Sequence, residues 1–271
     1  MSLPAHAAKP LSDELCTFSS AVDTPFAQVI ASTDKFDCSK TKFSVAGPRV
    51  WIKAPFPDEA LPDGTIEVQG DNNGLTTMAI HSVLNNGKTI SQNFSLQEVK
   101  DSWRPKGHYG LPVPGSSIRS VRDEIRTVYV AIDNPKVVSS ISLMTFAPKK
   151  IWDDRKLPLS VMFAILCGLM IMPLVYNAFF YSALRHRFML WHSVMVAGTV
   201  VYTFSSSGLV FIAFPDFCLQ QKMILNYWTL AICVAASGFF LVNFVESGKI
   251  SRPVKMAILA TCLLPVFVTA A

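Results

Sequence analysis

Between residues 43 and 146, apolar and polar positions alternate in short runs broken by Pro, Gly and Asn; from Leu157 onward the alternation gives way to long apolar stretches. A period of two belongs to a strand with one buried face, and a run of about 18 or more apolar residues to a helix crossing ~30 Å of hydrocarbon. The pattern therefore predicts a β-rich domain followed by a membrane domain. Phe43–Phe56, with Val50-Trp51-Ile52 at its centre, reads as a strand, and Thr65–Gly70 alternates with period two. Thr76–Leu84 and Lys88–Phe94 flank Asn85-Asn86-Gly87, where Asn-Gly predicts a hairpin with a type I′ turn. Ile125–Ile132 and Val137–Phe146 are two further β-rich runs, joined by Asp133-Asn134-Pro135-Lys136. Pro25–Thr33 reads as a short helix or as irregular chain. Strands at this spacing predict an all-β antiparallel sandwich of jelly-roll type over residues 36–148. An N-terminal segment (1–35) precedes it and a short basic linker (149–156) follows.

Four apolar stretches make up the rest: 157–184, 189–214, 223–245 and 254–271. The first carries no Asp, Glu, Lys or Arg and is closed by Arg185-His186-Arg187; the loop after the second is near neutral, and the loop after the third is positive again. Positive loops lie on the cytoplasmic side, so this alternation predicts a chain whose N-terminal half is outside. Lys149, Lys150, Arg155 and Lys156 oppose that bias at the outer end of the first span, and a folded, exported domain overrides it. The expected architecture is multi-domain: a jelly-roll-like sandwich, then an α-helical transmembrane bundle whose main partner is the lipid bilayer.

Charge sharpens this picture. The net charge of +5 is uneven: residues 1–156 hold 18 Lys and Arg against 17 Asp and Glu, and residues 157–271 hold 6 against 2. The excess is thus mostly loop charge of the membrane half, which gives no footprint for a nucleic acid. The A-x-A element Ala5-His6-Ala7 has no apolar stretch before it, and Pro253–Ala271 stops inside what reads as a span. The chain is therefore expected to be a piece of a longer protein, trimmed or begun upstream at one end and cut at the other.

Candidate chemistry is sparse. No Cys-x-x-Cys or zinc-type spacing occurs, so no metal and no cofactor are expected. Cys16 and Cys38 lie in the β-rich half, either as a disulfide of an exported domain or as two buried thiols. No Ser/His/Asp set is suggested, and this chain is not expected to be an enzyme. Trp103-Arg104-Pro105-Lys106-Gly107-His108-Tyr109 mixes aromatics and cations in what reads as a loop. Trp103, Arg104, His108 and Tyr109 are therefore candidate ligand residues, able to stack and hydrogen-bond a sugar, with burial in the core as the competing role. Trp51, between Val50 and Ile52, is read as core. In the spans, Asn177, Asn226, Asn243, Tyr202 and Ser205-Ser206-Ser207 are expected to bond between helices, and Pro173 to kink the first span. No Asp, Glu, Lys or Arg lies deep in a span, which weighs against the alternative of a transporter with an accessory domain. A simple anchored adhesion domain would need one span, not four.

The run Val175-Tyr176-Asn177-Ala178-Phe179-Phe180-Tyr181-Ser182-Ala183-Leu184-Arg185-His186-Arg187, with Trp191 beyond it, resembles the first span and loop of the bacterial 7TM receptors with diverse intracellular signalling modules (7TMR-DISM). Tyr176, Asn177, Tyr181, Arg185 and Arg187 carry that likeness, and Ser207-Gly208-Leu209 with Pro215 is similar to the second span and its exit. The resemblance implies four of seven spans and a periplasmic jelly roll that binds a carbohydrate or another small molecule. It further implies a bacterial inner-membrane receptor, working as a homodimer, whose cytoplasmic output module (a GGDEF diguanylate cyclase above a histidine kinase) is absent from these residues.

Overall fold

The computed structural model describes residues 9–10, 15–38, 47–56, 64–71, 77–105, 108–135, 144–244 and 251–270. They fall into two compact units, Met1–Leu157 and Pro158–Ala271.

The first unit is built on two five-stranded antiparallel sheets. Sheet I has the order β1-β10-β4-β8-β7, from Lys9–Pro10, Thr145–Pro148, Ile66–Asp71, His108–Pro112 and Trp103–Arg104. Sheet II has the order β2-β3-β9-β5-β6, from Cys16–Ser20, Arg49–Pro55, Ile125–Asp133, Met78–Leu84 and Thr89–Phe94. The chain changes sheet between β1 and β2, β3 and β4, β4 and β5, β6 and β7, β8 and β9, and β9 and β10, the winding of a jelly roll. Among the described residues, short α-helices decorate it: α1 (Phe26–Ala31), α2 (Leu96–Asp101) and α3 (Arg119–Arg122).

Directly opposed residues of an antiparallel ladder share a face, so the register sorts the side chains of sheet II. Val50, Ile52 and Ala54 stand opposite Ile132, Val130 and Val128, and these opposite Met78, Ile80 and Ser82. All nine are buried. This face meets sheet I, which contributes Ile66, Val68, Tyr109, Leu111 and Phe146. Phe146 lies 5.7 Å from Phe56 ring to ring, and the Ser82 hydroxyl donates to the Pro114 carbonyl at 2.8 Å.

The opposite face of sheet II is covered as well. Val29 of α1 and Phe36 lie on Trp51, Tyr129 and Ala131 to form a second small core. The Cys16–Cys38 disulfide closes the loop that carries them. Burying such side chains contributes about 2 kcal/mol each. Trp51 is therefore core, but of this outer layer rather than of the space between the sheets. The domain also begins earlier than residue 36: β2 pairs with β3, and Thr17 bridges Asp37. The mostly polar sequence of β2, Cys-Thr-Phe-Ser-Ser, hides a strand whose burial comes from its neighbours.

Three further local expectations are corrected. The β5–β6 turn is not type I′: Gly87 donates to the Leu84 carbonyl at 2.9 Å, and only Gly87 (φ 79°) is left-handed. The loop is a three-residue type I turn ended by glycine. The linker 149–156 is helical, the head of α4 (Lys149–Leu184, 36 residues). Nothing in 149–156 is a strong helix breaker, and Lys149 N–H is satisfied by the Thr65 carbonyl at 2.9 Å. Most of the Val137–Phe146 strand lies outside the described residues; its end, with Ala147 and Pro148, is β10 in sheet I, away from β9.

The second unit holds the rest of α4, α5 (Arg187–Ser206), α6 (Leu209–Ala213), α7 (Leu219–Phe244) and α8 (Arg252–Ala270). Four of these helices are long and apolar enough to cross a membrane. They leave large apolar side chains outward, such as Phe179 at 71 % exposed and Phe267 at 70 %, which water would penalise and lipid accepts. The second stretch does not run as one helix to residue 214. Gly208 adopts φ 88°, a left-handed conformation that a right-handed helix cannot continue. α4 stays helical through Pro158 and Pro173.

Candidate functional site

The outer face of sheet II carries a groove of about 630 Å³. Its floor follows from the register. Arg49 stands opposite Asp133; Trp51 opposite Ala131, Ala131 opposite Ala79, and Ala79 opposite Asn93; Tyr129 opposite His81, and His81 opposite Ser91. One wall is Thr24-Pro25-Phe26 from the disulfide-closed loop, and the other is Phe94, Ser95 and Glu98 at the start of α2. Residues distant in sequence therefore meet because the strands alternate in step.

The aromatic part is layered. The Phe26 ring stacks on His81 at 4.0 Å and on Trp51 at 5.6 Å, and meets Tyr129 edge-on at 5.4 Å. Trp51 and His81 are buried, whereas Phe26 keeps a partly open face. The polar part is ordered too. Arg49 grips Asp133 with Nε and Nη2 at 2.5 and 3.1 Å, and the Thr77 hydroxyl donates to the same carboxylate at 2.6 Å. Trp51 Nε1 donates to Ser20 Oγ at 3.0 Å, and His81 Nδ1 lies 2.6 Å from Ser91 Oγ. Ser95 and Glu98 form a capping box that fixes the second wall.

Electrostatics hold this arrangement in one protonation state. Burial, with the Arg49 charge added, pushes the His81 imidazole down to about 4, so it is neutral at pH 7. Burial alone would raise the Asp133 carboxyl, but hydrogen bonds from Arg49 and Thr77 and the Arg49 charge outweigh it and hold the group below its ordinary value. Hydrogen bonds from the Ser95 backbone and hydroxyl likewise lower Glu98. The groove thus offers an aromatic face, two carboxylates, one already paired cation and several neutral donors and acceptors. Among the described residues no His, Cys, Asp or Glu side chains are grouped in threes as metal ligands.

The residues expected to bind a ligand are placed elsewhere. Trp103 and Arg104 form β7 and Tyr109 belongs to β8, all in sheet I, with Trp103 opposite Tyr109 and Arg104 opposite His108. Tyr109 is fully buried, its hydroxyl far above the usual phenol range through desolvation, then the Asp71 charge. Trp103 and Arg104 are buried too, and His108 partly so. The exposed aromatic loop of the sequence reading is corrected to a strand pair whose aromatics fill the interior. Phe26, Arg49, His81 and Asp133 were not singled out by the sequence. Their only local signal is that Arg49 and Trp51 share a parity on one strand, and His81 and Ala79 on another.

In the helical unit, Asn177 Nδ2 lies 2.6 Å from His192 Nδ1, joining α4 to α5. The expected interhelical bond is present at Asn177, whereas Asn243 bonds to Phe239 within its own helix. Tyr176 and Tyr181 point outward, at 67 % and 38 % exposed. Arg185 ends α4 in a left-handed conformation, its N–H on the Tyr181 carbonyl at 2.9 Å, and Arg187 begins α5. Trp191 stacks on Phe239 at 4.4 Å, tying α5 to α7. Lys222, in the first turn of α7, is buried with its ammonium 5.7 Å from the Phe211 ring centre.

Comparison with known proteins bears on the helical part. Residues 159–271 match the model of a family described as 7TM diverse intracellular signalling. No curated protein matches the chain.

Proposed function

Because the chain belongs through residues 159–271 to the 7TM diverse intracellular signalling family of membrane receptors, we propose that the outer groove of its sandwich is the sensing site, and that the ligand is a carbohydrate or a similar small polyhydroxylated molecule. The observation that carries this reading is the pairing, in one open groove, of the Phe26 face backed by His81 and Trp51 with the Arg49–Asp133–Thr77 network and Asn93. An apolar ring face with polar groups at its rim matches the amphipathic faces of a sugar ring, and a groove of this size suits one or two such rings. The sandwich lies in the periplasm of a bacterium and the helices in its inner membrane. Binding is relayed through the helices, in a homodimer, to a cytoplasmic output module outside these residues, a diguanylate cyclase.

The test is direct. The full chain in lipid nanodiscs is titrated with a panel of mono- and oligosaccharides, following tryptophan fluorescence and heat. At least one saccharide is expected to bind, with affinity falling about tenfold or more in Phe26→Ala, the loss of one stacked face, and unchanged in Lys88→Ala at the far hairpin turn. A panel in which nothing binds, or binding indifferent to Phe26, overturns the assignment. Orientation is tested separately: alkaline phosphatase fused after residue 148 is expected to be active, and after residue 186 inactive.

A further inference from the structure

One short segment touches both the groove and the root of the first membrane helix. Phe94, Ser95 and Glu98 form a wall of the groove. From there α2 runs to Asp101 and delivers Trp103 and Arg104 into β7. At that end, Arg104 Nη2 grips Glu67 of β4 at 2.8 and 2.9 Å and stands 3.6 Å from Asp153 in the second turn of α4. One turn further on, the Lys156 ammonium lies 4.3 Å from the centre of the Trp103 ring. All these residues belong to the first unit, which includes α4 as far as Leu157.

The segment is built to transmit rather than absorb a displacement. Its first turn is locked by the reciprocal Ser95–Glu98 capping box, with Glu98 Oε2 accepting from Ser95 N–H at 2.7 Å. Val99 is buried against the sandwich, and the Ser102 hydroxyl donates to the Val99 carbonyl at 2.8 Å. At the far end Glu67 and Arg104 are nearly sealed from water, at 2 % and 5 % exposed. A buried ion pair of this kind keeps one geometry, because parting its members strands a charge. Gly110 makes room for it: a Cβ there would collide with Glu67 Oε2. Asp153, by contrast, is half exposed, and Arg104 Nε is buried with no hydrogen-bond partner. The cation therefore has one rigid partner in the sandwich, one loose partner on the helix, and a spare donor that a shift of the helix head could engage.

We propose that residues 94–104 are the coupling element between the groove and the head of α4, with Arg104 and Trp103 as positioning residues that hold Asp153 and Lys156. The proposal rests on the groove being the sensing site for its biological direction, but the mechanical coupling stands by itself. Movement of the Ser95–Glu98 wall is carried by α2 to β7, and there it alters the hold on the first turns of α4. Two elements that bias one equilibrium in this way are energetically coupled, and the coupling is reciprocal.

The test needs no ligand. Hydrogen exchange is measured on the full chain in nanodiscs, reading the amides of residues 153–157. Glu98→Ala perturbs the groove end, and Asp153→Asn with Lys156→Gln releases the helix end. All three side chains lie at or near the surface, so these variants are expected to fold. Each set is expected to speed exchange at 153–157 by about 3- to 10-fold, the scale of exposed ion-pair and cation–π contacts. When combined, their effects should not multiply, since Glu98 acts through the contacts already removed. The proposal is overturned if Glu98→Ala leaves 153–157 unchanged, if the two effects multiply, or if Lys88→Ala on the remote turn speeds the same amides equally. A saccharide panel in which nothing binds would sink the ligand assignment and leave this cycle readable; multiplying effects would do the reverse.

Discussion

Acid should loosen the sandwich through His81, and the size of the effect can be worked from its surroundings. The imidazole is 8 % exposed and stacked on Phe26, in a groove it shares with Arg49, Asp133 and Glu98; burial, then the Arg49 charge, pushes it down to about 4 from an ordinary 6.5. In the unfolded chain it takes a proton near 6.5; in the folded chain it resists until about 4. Between these values the unfolded state binds more protons, so stability falls as pH falls. The contribution is whole above pH 6.5, shrinks by about 1.4 kcal/mol per pH unit, and is exhausted near pH 4 after a loss of about 3 kcal/mol. The perturbation is His81→Phe, which keeps a flat ring against Phe26 and removes the titration; the Ser91 hydroxyl it leaves behind is exposed to water. Urea unfolding of the sandwich in the nanodisc-embedded chain, followed at the core amides of β3, β5 and β9, would be compared at pH 7 and pH 5. The native chain is expected to lose about 2 kcal/mol more than the variant over that interval. Carboxylates titrate in both proteins, so the difference between them is the quantity to read. Equal pH dependence in the two chains, or a His81 resonance titrating near 6.5 in ¹³C-histidine NMR spectra, would refute the reasoning.

Other perturbations test separate parts of the structure. Cys38→Ser opens a loop of 22-residue separation and should cost about 3 kcal/mol on the chain-entropy account, read as a lower urea midpoint that dithiothreitol reproduces in the native chain. Gly110→Ala drives a methyl into Glu67 Oε2 beside Arg104, so it should destabilise the sandwich by about 2–4 kcal/mol, measured by the same unfolding. Asn177→Leu removes the partner of His192 between α4 and α5 and should lower thermal stability in detergent by about 1 kcal/mol, with the fold retained.

Much of the architecture was legible because it is written in local periodicity. The change from alternating to continuous apolar residues separated a part built of antiparallel sheets from a helical part, and the long apolar runs marked four membrane-length helices. Asn85-Asn86-Gly87 marked the hairpin, though a third loop residue changed its turn type. The likeness around Tyr176-Asn177 pointed to the family that residues 159–271 match.

The candidate site was not legible, and the reason is physical. Strand alternation says that Trp51 and Arg49 share a face, but not that Asp133, His81 and Phe26 will meet them. That depends on β9 lying between β3 and β5, in a register set by the whole sheet. The same indeterminacy misled the reading of Trp103–Tyr109. Their mixture of rings and charges looks like an exposed loop in isolation, and only the pairing of β7, β8 and β4, with Glu67 of β4 ion-paired to Arg104 of β7, buries it. The sequence alone decided which residues enter the membrane and which form strands, since both follow from transfer free energy along a short window. Which side chains face one another across a sheet, and hence where a ligand could sit and how the groove reaches the first helix, is a product of non-local pairing that only the tertiary structure supplies.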